Sequence, residues 1–342
     1  MIWKSSLPVL LALAVLGGCG SAPPARLADV DQALAQHRYS QARDALLALR
    51  KHDGGSLELV RRLAKLELDF GDGYAAERYL DEWRSLAGTN PEWVTLRARS
   101  LILQGKSRSA QDFLEQAEPA EAEGAARAWL TVWAAMEQGD NDRAQEEVMT
   151  ALARYPRSPD LNARAGRLLA MQGNREAASE YVAVALAADP QHYEALLLQG
   201  EGRIAAGDLE GALASYGLAA RAYPDFAVPS ANVVGLLIDL GRLPEAEQAL
   251  KPALARYPGF PLLQFTAARL AAATKRWPQA RATLQAMPAQ FKRDVPAATL
   301  LEGDVETALG NQATAQALYA SIANRPGMEA AVAARLGPAG PG

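Results

Sequence analysis

Residue columns recur along this chain every 34 positions. Alanine holds one of them without a gap: Ala42, Ala76, Ala110, Ala144, Ala178, Ala212, Ala246 and Ala280. Glycine holds a second, at Gly71, Gly105, Gly139, Gly173, Gly207 and Gly241. A second alanine column runs Ala117, Ala151, Ala185, Ala219 and Ala253, and a proline column runs Pro156, Pro190, Pro224 and Pro258. A strict period of this length marks an array in which each unit is one supersecondary element. No such unit buries its apolar face alone; stacking on neighbours completes the core.

The stretch GDLEGALASYGLAARAYP (207–224) shows what each column requires. Ala212, Tyr216 and Ala219 follow helical spacing, so they share one face. The alanines keep side chains small where two helices approach closely. Larger apolar residues fill the space between: Leu46, Leu80, Leu114, Val148, Val182, Tyr216, Leu250 and Leu284. The glycine permits a tight exit from the preceding helix through positive φ. The proline stops the following helix and opens the next unit. Each unit therefore reads as two antiparallel helices joined by a short turn.

This pattern resembles the tetratricopeptide repeat (TPR). The period agrees, as do the small residue of the first helix (Ala64, Ala98, Gly166, Gly200, Ala268), the turn glycine, the paired alanine columns and the terminal proline. The clearest unit is YEALLLQGEGRIAAGDLEGALASYGLAARAYP (193–224). The resemblance implies an all-α chain, a right-handed superhelical α-solenoid of about nine TPR helix-turn-helix units. They start near Pro23, Leu57, Pro91, Ala125, Pro159, Tyr193, Ala227, Pro261 and Pro296. The array is expected over 27–326, a C-terminal capping helix over 327–336 and a disordered tail over 337–342. There are departures. The family's early tryptophan is missing, with Ala128 and Leu196 in two of its places. His37 and Lys275 replace the turn glycine in the first and eighth units. The last unit is offset by one residue, with Gly310 and Ala315 in the glycine and alanine roles.

The first residues, MIWKSSLPVLLALAVLGGCG, carry one positive charge, then an apolar run, then small residues and the chain's single cysteine. That layout is a secretory signal, shorter than the roughly 20 apolar residues of a membrane span. Leu16-Gly17-Gly18-Cys19 resembles the lipobox of bacterial lipoproteins. The resemblance implies a signal peptide over 1–18, acyl chains such as palmitate on Cys19, and a lipidated tether over 19–26. Each buried methylene adds roughly 0.8 kcal/mol of anchoring. Gly20 stands where an aspartate would mark inner-membrane retention, so the implied address is the outer membrane, facing the periplasm. An ordinary signal peptide with an incidental cysteine is the plainer alternative.

Chemistry is scarce. The three histidines (His37, His52, His192) form no HExxH pattern, and neither a G-x-S-x-G elbow nor a P-loop occurs. Acid pairs such as Glu146/Glu147 and Asp140/Asp142 suit the start and outer side of a helix. The expectation is a chain that is not an enzyme and needs no cofactor or metal. A formal net charge of −4 argues against bulk nucleic-acid binding, which needs a basic face.

What remains is surface. In TPR proteins the first helices line a concave groove, and residues four apart share a helix face. Two such columns carry Arg61, Thr95, Trp129, Ala163, Leu197, Ala231 and Phe265, and Lys65, Arg99, Trp133, Arg167, Glu201, Gly235 and Arg269. Arg61, Lys65, Arg99, Trp129, Trp133 and Arg167 are the candidate partner-binding residues, a basic stretch beside two aromatics that suits an acidic peptide with an apolar anchor. The plainer readings are solvated or internally paired cations and core tryptophans. The expected function is a scaffold for envelope proteins, of the kind that assists pilus, secretion, outer-membrane protein or polysaccharide export machinery. A glycan-binding accessory module and a regulatory subunit of an envelope enzyme are the alternatives.

Overall fold

The computed structural model describes residues 25–117 and 124–336. The signal peptide, Cys19, most of the tether and the 337–342 tail lie outside the described residues. Among the described residues there are twenty helices and no strand. Unit 1 is α1 (Leu27–Ala35) with α2 (Tyr39–Asp53), and unit 2 is α3 (Leu57–Asp69) with α4 (Gly73–Ala87). Units 3 and 4 are α5 (Pro91–Leu103) with α6 (Ser107–Gln116) and α7 (Gly124–Glu137) with α8 (Asn141–Arg154). Units 5 and 6 are α9 (Pro159–Met171) with α10 (Arg175–Ala188) and α11 (Tyr193–Ala205) with α12 (Leu209–Ala222). Unit 7 is α13 (Ala227–Asp239) with α14 (Leu243–Arg256), and unit 8 is α15 (Pro261–Ala273) with α16 (Trp277–Gln285). A short helix, α17 (Ala289–Asp294), precedes unit 9, which is α18 (Pro296–Ala308) with α19 (Gln312–Ile322); α20 (Glu329–Leu336) packs on α19. The units stack as a right-handed solenoid of TPR type. Among the described residues no helix is long and apolar enough to cross a membrane.

The turns are built as the glycine column requires. In unit 6 the Gly207 N–H bonds the Ile204 carbonyl at 2.9 Å and the Asp208 N–H reaches back to Arg203 at 2.8 Å. That reversal needs a left-handed residue, and Gly207 has φ +79°. Asp208 then caps α12 by accepting from the Gly211 N–H at 2.9 Å. His37 (φ +48°) and Lys275 (φ +60°) adopt the same left-handed conformation without being glycine. Their turns make the same pair of backbone bonds: Arg38 to Ala33 at 2.8 Å, and Arg276 to Ala271 at 2.7 Å. A Cβ in that region is unfavourable by roughly 1–2 kcal/mol.

Packing follows the alanine columns. Ala42, Ala76, Ala110, Ala144, Ala178, Ala212, Ala246 and Ala280 are all buried, and Ala315 takes the role in unit 9. The larger column, from Leu46 to Leu284, is buried against them. Where that column carries tyrosine, the facing first helix has lost its Cβ. A Cβ on Gly200 would lie 2.4 Å from the Tyr216 ring, and one on Gly303 would lie 2.3 Å from Tyr319. The one-residue offset of unit 9 also has a local cause. Pro288 lacks an N–H and cannot continue α16, so the chain breaks there and inserts α17.

Ion pairs stitch neighbouring units about one period apart. Arg50 meets Glu82 at 2.7 Å, Arg143 meets Glu115 at 2.9 Å, and Arg276 meets Glu247 at 3.0 Å. Such half-exposed pairs add at most about 1 kcal/mol each.

One set of contacts breaks the nearest-neighbour rule. The start of unit 1's second helix lies against the junction of units 6 and 7. His37 stacks on Tyr223 with ring centroids 4.2 Å apart, and Tyr39 stacks on Phe226 at 5.6 Å. His37 Nδ1 lies 3.1 Å from the Ala222 carbonyl, and the Ser40 N–H donates to Asp225 at 2.8 Å. Phe70 and Tyr193 complete the aromatic cluster. Burial raises the phenols of Tyr193 and Tyr223 to about 12, and it holds Tyr39 well above its ordinary range too. The array thus folds back on itself at a seam joining units 1 and 2 to units 6 and 7.

Gly200→Ala is expected to destabilise the chain by about 1–3 kcal/mol through overpacking against Tyr216. In a Tyr216→Leu background the same change becomes neutral or stabilising; chemical denaturation of the four members of this double-mutant cycle checks the coupling. Lys275→Gly, at an exposed turn, should stabilise by about 1 kcal/mol. His37→Gly relieves the same strain but loses the Tyr223 stack, so it should gain less than Lys275→Gly or lose stability. Paired thermal melts separate the two.

Candidate functional site

The first helices of units 2 to 5 carry all six candidate residues: Arg61 and Lys65 on α3, Arg99 on α5, Trp129 and Trp133 on α7, and Arg167 on α9. The 34-residue register puts them on matching sides of successive helices. The two columns differ in depth, however. Thr95, Ala163, Leu197, Ala231 and Phe265 of the first column are buried, whereas the charged members of the second are half-exposed or exposed.

Each candidate cation has a carboxylate from another turn or unit. Arg61 and Lys65 both pair with Glu92 of the next unit. Arg99 donates to Asp69 at 2.9 Å and to the Leu68 carbonyl at 3.1 Å. Arg167 donates to Glu194 at 2.8 Å and lies 3.8 Å from Glu201. The arrangement is uneven, because Glu92 serves two cations and Glu194 serves two more. Burial acts to raise the Glu92 carboxyl, but Lys65 and Arg61 outweigh it and hold the group below its ordinary 4.5.

The tryptophans are half-buried and stand 5.1 Å apart at a 45° tilt. Trp129 packs against the cores on both sides of unit 4, while the Trp133 indole N–H donates to Glu137 at 3.1 Å. Guanidinium groups lie over the rings: Arg99 at 5.7 Å from Trp129, and Arg164 at 5.6 Å from Trp129 and 4.8 Å from Trp133. Contacts of this kind contribute about 0.5–1 kcal/mol when exposed and more when desolvated.

Arg164 escaped the sequence reading. Its column mixes apolar and polar residues: Arg62, Leu96, Leu130, Leu198, Asn232, Thr266 and Leu300. Three residues before Arg167 on α9, it was legible as sharing that helix side, but nothing in the column marked it out. Burial pushes its guanidinium down, against the pull of Glu194 3.4 Å away. It shares that carboxylate with Arg167. The face carries five cations (Arg61, Lys65, Arg99, Arg164, Arg167) against five carboxylates, three close (Glu92, Asp69, Glu194) and two farther off, with Glu58 3.9 Å from Arg61 and Glu201 3.8 Å from Arg167. Among the described residues no group of three or more His, Cys, Asp or Glu is placed to hold a metal ion.

Glu92 gives a pH test with a definite sign. Its folded carboxyl is depressed, so the stability it lends is present above about pH 4.5 and is lost as pH falls through the lower folded value. Glu92→Gln should therefore lower the melting temperature at neutral pH, and the gap from the parent chain should close on acidification below pH 4.5. A gap constant with pH would contradict the pairing.

A family model described as tetratricopeptide repeat matches residues 135–200, 203–264 and 237–305. No curated protein matches the sequence. Among solved structures, PilW, described as a widely conserved type IV pilus biogenesis factor, superposes with a TM-score of 0.52 at 19% identity, covering 64% of this chain and 100% of its own. A chain of the APC/C hetero-tetramer Cut9–Hcn1 gives 0.50 at 13% identity, covering 90% of this chain and 88% of its own. PilF of Pseudomonas aeruginosa gives 0.49 at 17% identity, covering 60% and 94%. At these identities the first two likenesses bear on the fold alone.

Proposed function

We propose, from the premise that this chain is built of tetratricopeptide repeats, that it is a non-enzymatic scaffold holding a segment of an envelope protein in a groove lined by α3, α5, α7 and α9. The observation that carries the reading is the sharing of Glu92 and of Glu194, each between two cations, on the face beside Trp129 and Trp133. An acidic segment with one apolar side chain would meet both features. The rigid stack leaves most of the ordering cost to the bound segment, so affinity depends on a few anchors.

The address rests on the sequence. The lipobox-like Leu16-Gly17-Gly18-Cys19 supports a lipid anchor, and Gly20 supports the periplasmic face of the outer membrane. Type IV pilus biogenesis, the role described for PilW, is one candidate setting among envelope assemblies. The sugar-stacking alternative would need an open aromatic platform. The two rings here are tilted and already carry guanidinium groups.

Lys65 is the cleanest probe. It is half exposed, and Glu92 keeps Arg61 when Lys65 is removed, whereas Arg99→Glu would set a second carboxylate beside Asp69. Crosslinked pull-down from envelopes should recover a discrete protein partner with the parent chain. Lys65→Ala should reduce that recovery several-fold while helix content and melting change by little. Equal recovery would remove the basic face from the contact, and hydrolysis of peptide, peptidoglycan or polysaccharide by the purified chain would overturn the scaffold reading.

A further inference from the structure

The seam between unit 1 and units 6 and 7 encloses a cleft of about 650 Å³ that no repeat predicts. Its walls come from four stretches far apart in sequence, one of them Gln191 between α10 and α11. The α1–α2 turn gives His37, Arg38 and Gln41. The α12–α13 junction gives Arg221 and Asp225, and the end of α14 gives Arg256. We propose that this cleft is a binding site for an anionic group, carboxylate or phosphate, and that its occupancy fastens the seam.

The charge balance carries the argument. Three arginines and one carboxylate line the cleft. That carboxylate is fully engaged: Asp225 is buried, one oxygen accepts from the Ser40 N–H at 2.8 Å, and the other pairs with Arg256. Arg38 and Arg221 are exposed, and their guanidinium groups have neither a hydrogen-bond nor an ion-pair partner among the described residues. They belong to opposite sides of the seam, so like charges gather there when it closes. An anion between the two sides turns that repulsion into two charge-assisted hydrogen-bond partners. Because the site is complete only when the seam is closed, an anion binds the closed form in preference and shifts the population toward it. The ring contacts beside the cleft, His37 on Tyr223 and Tyr39 on Phe226, lie between repeats and not within one.

The register supplies a clean way to loosen the seam. Ser40 lies in the column that holds Pro244 and Pro278 in units 7 and 8, where proline occupies the first turn of α14 and α16. Ser40→Pro therefore suits the helix start yet deletes the N–H that Asp225 accepts. Tyr223→Ala, which removes the stacked ring, is a second loosened form.

Isothermal titration of the full chain with citrate, and separately with inorganic phosphate, at constant ionic strength set by sodium chloride, tests the proposal. Saturable one-to-one binding of at least one probe is expected. Arg38→Gln and Arg221→Gln should each weaken it about tenfold or more. Ser40→Pro and Tyr223→Ala, both with helix content confirmed by circular dichroism, should weaken it while both arginines remain. Citrate without phosphate would point to a carboxylate, as on an acidic side chain or chain terminus; phosphate without citrate would point to a phosphate-bearing ligand. Binding of neither probe, or undiminished binding in the two arginine variants, overturns the site. Undiminished binding in a loosened form, with the small-angle scattering radius of gyration increased, overturns the coupling to closure.

Discussion

At each helix crossing in this array a methyl group is the largest side chain that fits. The alanine column from Ala42 to Ala280 is buried at every step, and the whole stack depends on that close approach. Interiors at crystal-like density leave no slack, so a larger residue on one helix demands a smaller one on its partner. The tyrosines show the rule most plainly. Tyr216 and Tyr319 bring rings where other units carry leucine or valine, and Gly200 and Gly303 give up their Cβ atoms to admit them. Shape complementarity, renewed unit by unit, lets a chain of this length fold without one large core.

The repeat also makes its exceptions informative. His37 replaces a turn glycine and accepts left-handed backbone, which is unfavourable for a side-chain-bearing residue. Phe226 stands in the column where Ser56, Asn90, Ser158 and His192 cap the next helix, and it makes no such cap. Both give up local stability, and both lie in the seam, where His37 meets Tyr223 and Phe226 meets Tyr39. The broken turn rule at His37 coincides with a contact 185 residues away, whereas the missing cap is shared by Phe260, the next residue of Phe226's column. Lys275 breaks the same rule without a comparable contact, and nothing in the structure explains it.

Charge behaves differently from shape. The candidate cations of α3, α5 and α9 are held by carboxylates about one period away, so a run of arginines and lysines in one column does not amount to a free basic surface. What survives is the inequality in the pairing, with Glu92 and Glu194 each shared between two cations. Arg164 belongs to this set and was hidden in a column of mixed apolar and polar residues, Arg62 and Asn232 among them. A column consensus averages such a residue away; only its neighbours in space show that it lies over both tryptophans.

The helices, their turns and the alternation of large and small residues were legible from the sequence, because period, glycine, alanine and proline act within one unit or between adjacent ones. Columns of identical residues encode contacts of that range directly. The break at Pro288 was visible beforehand only as a one-residue offset; in the structure it inserts α17, which packs on α18. The depth of each groove column, the partner of each cation and the seam could not be read in advance. Depth and ion pairing depend on how adjacent units turn and pack against one another; the seam depends on how those small rotations accumulate around the solenoid, a sum over many interfaces that brings Ser40 to Asp225 and exists only in three dimensions.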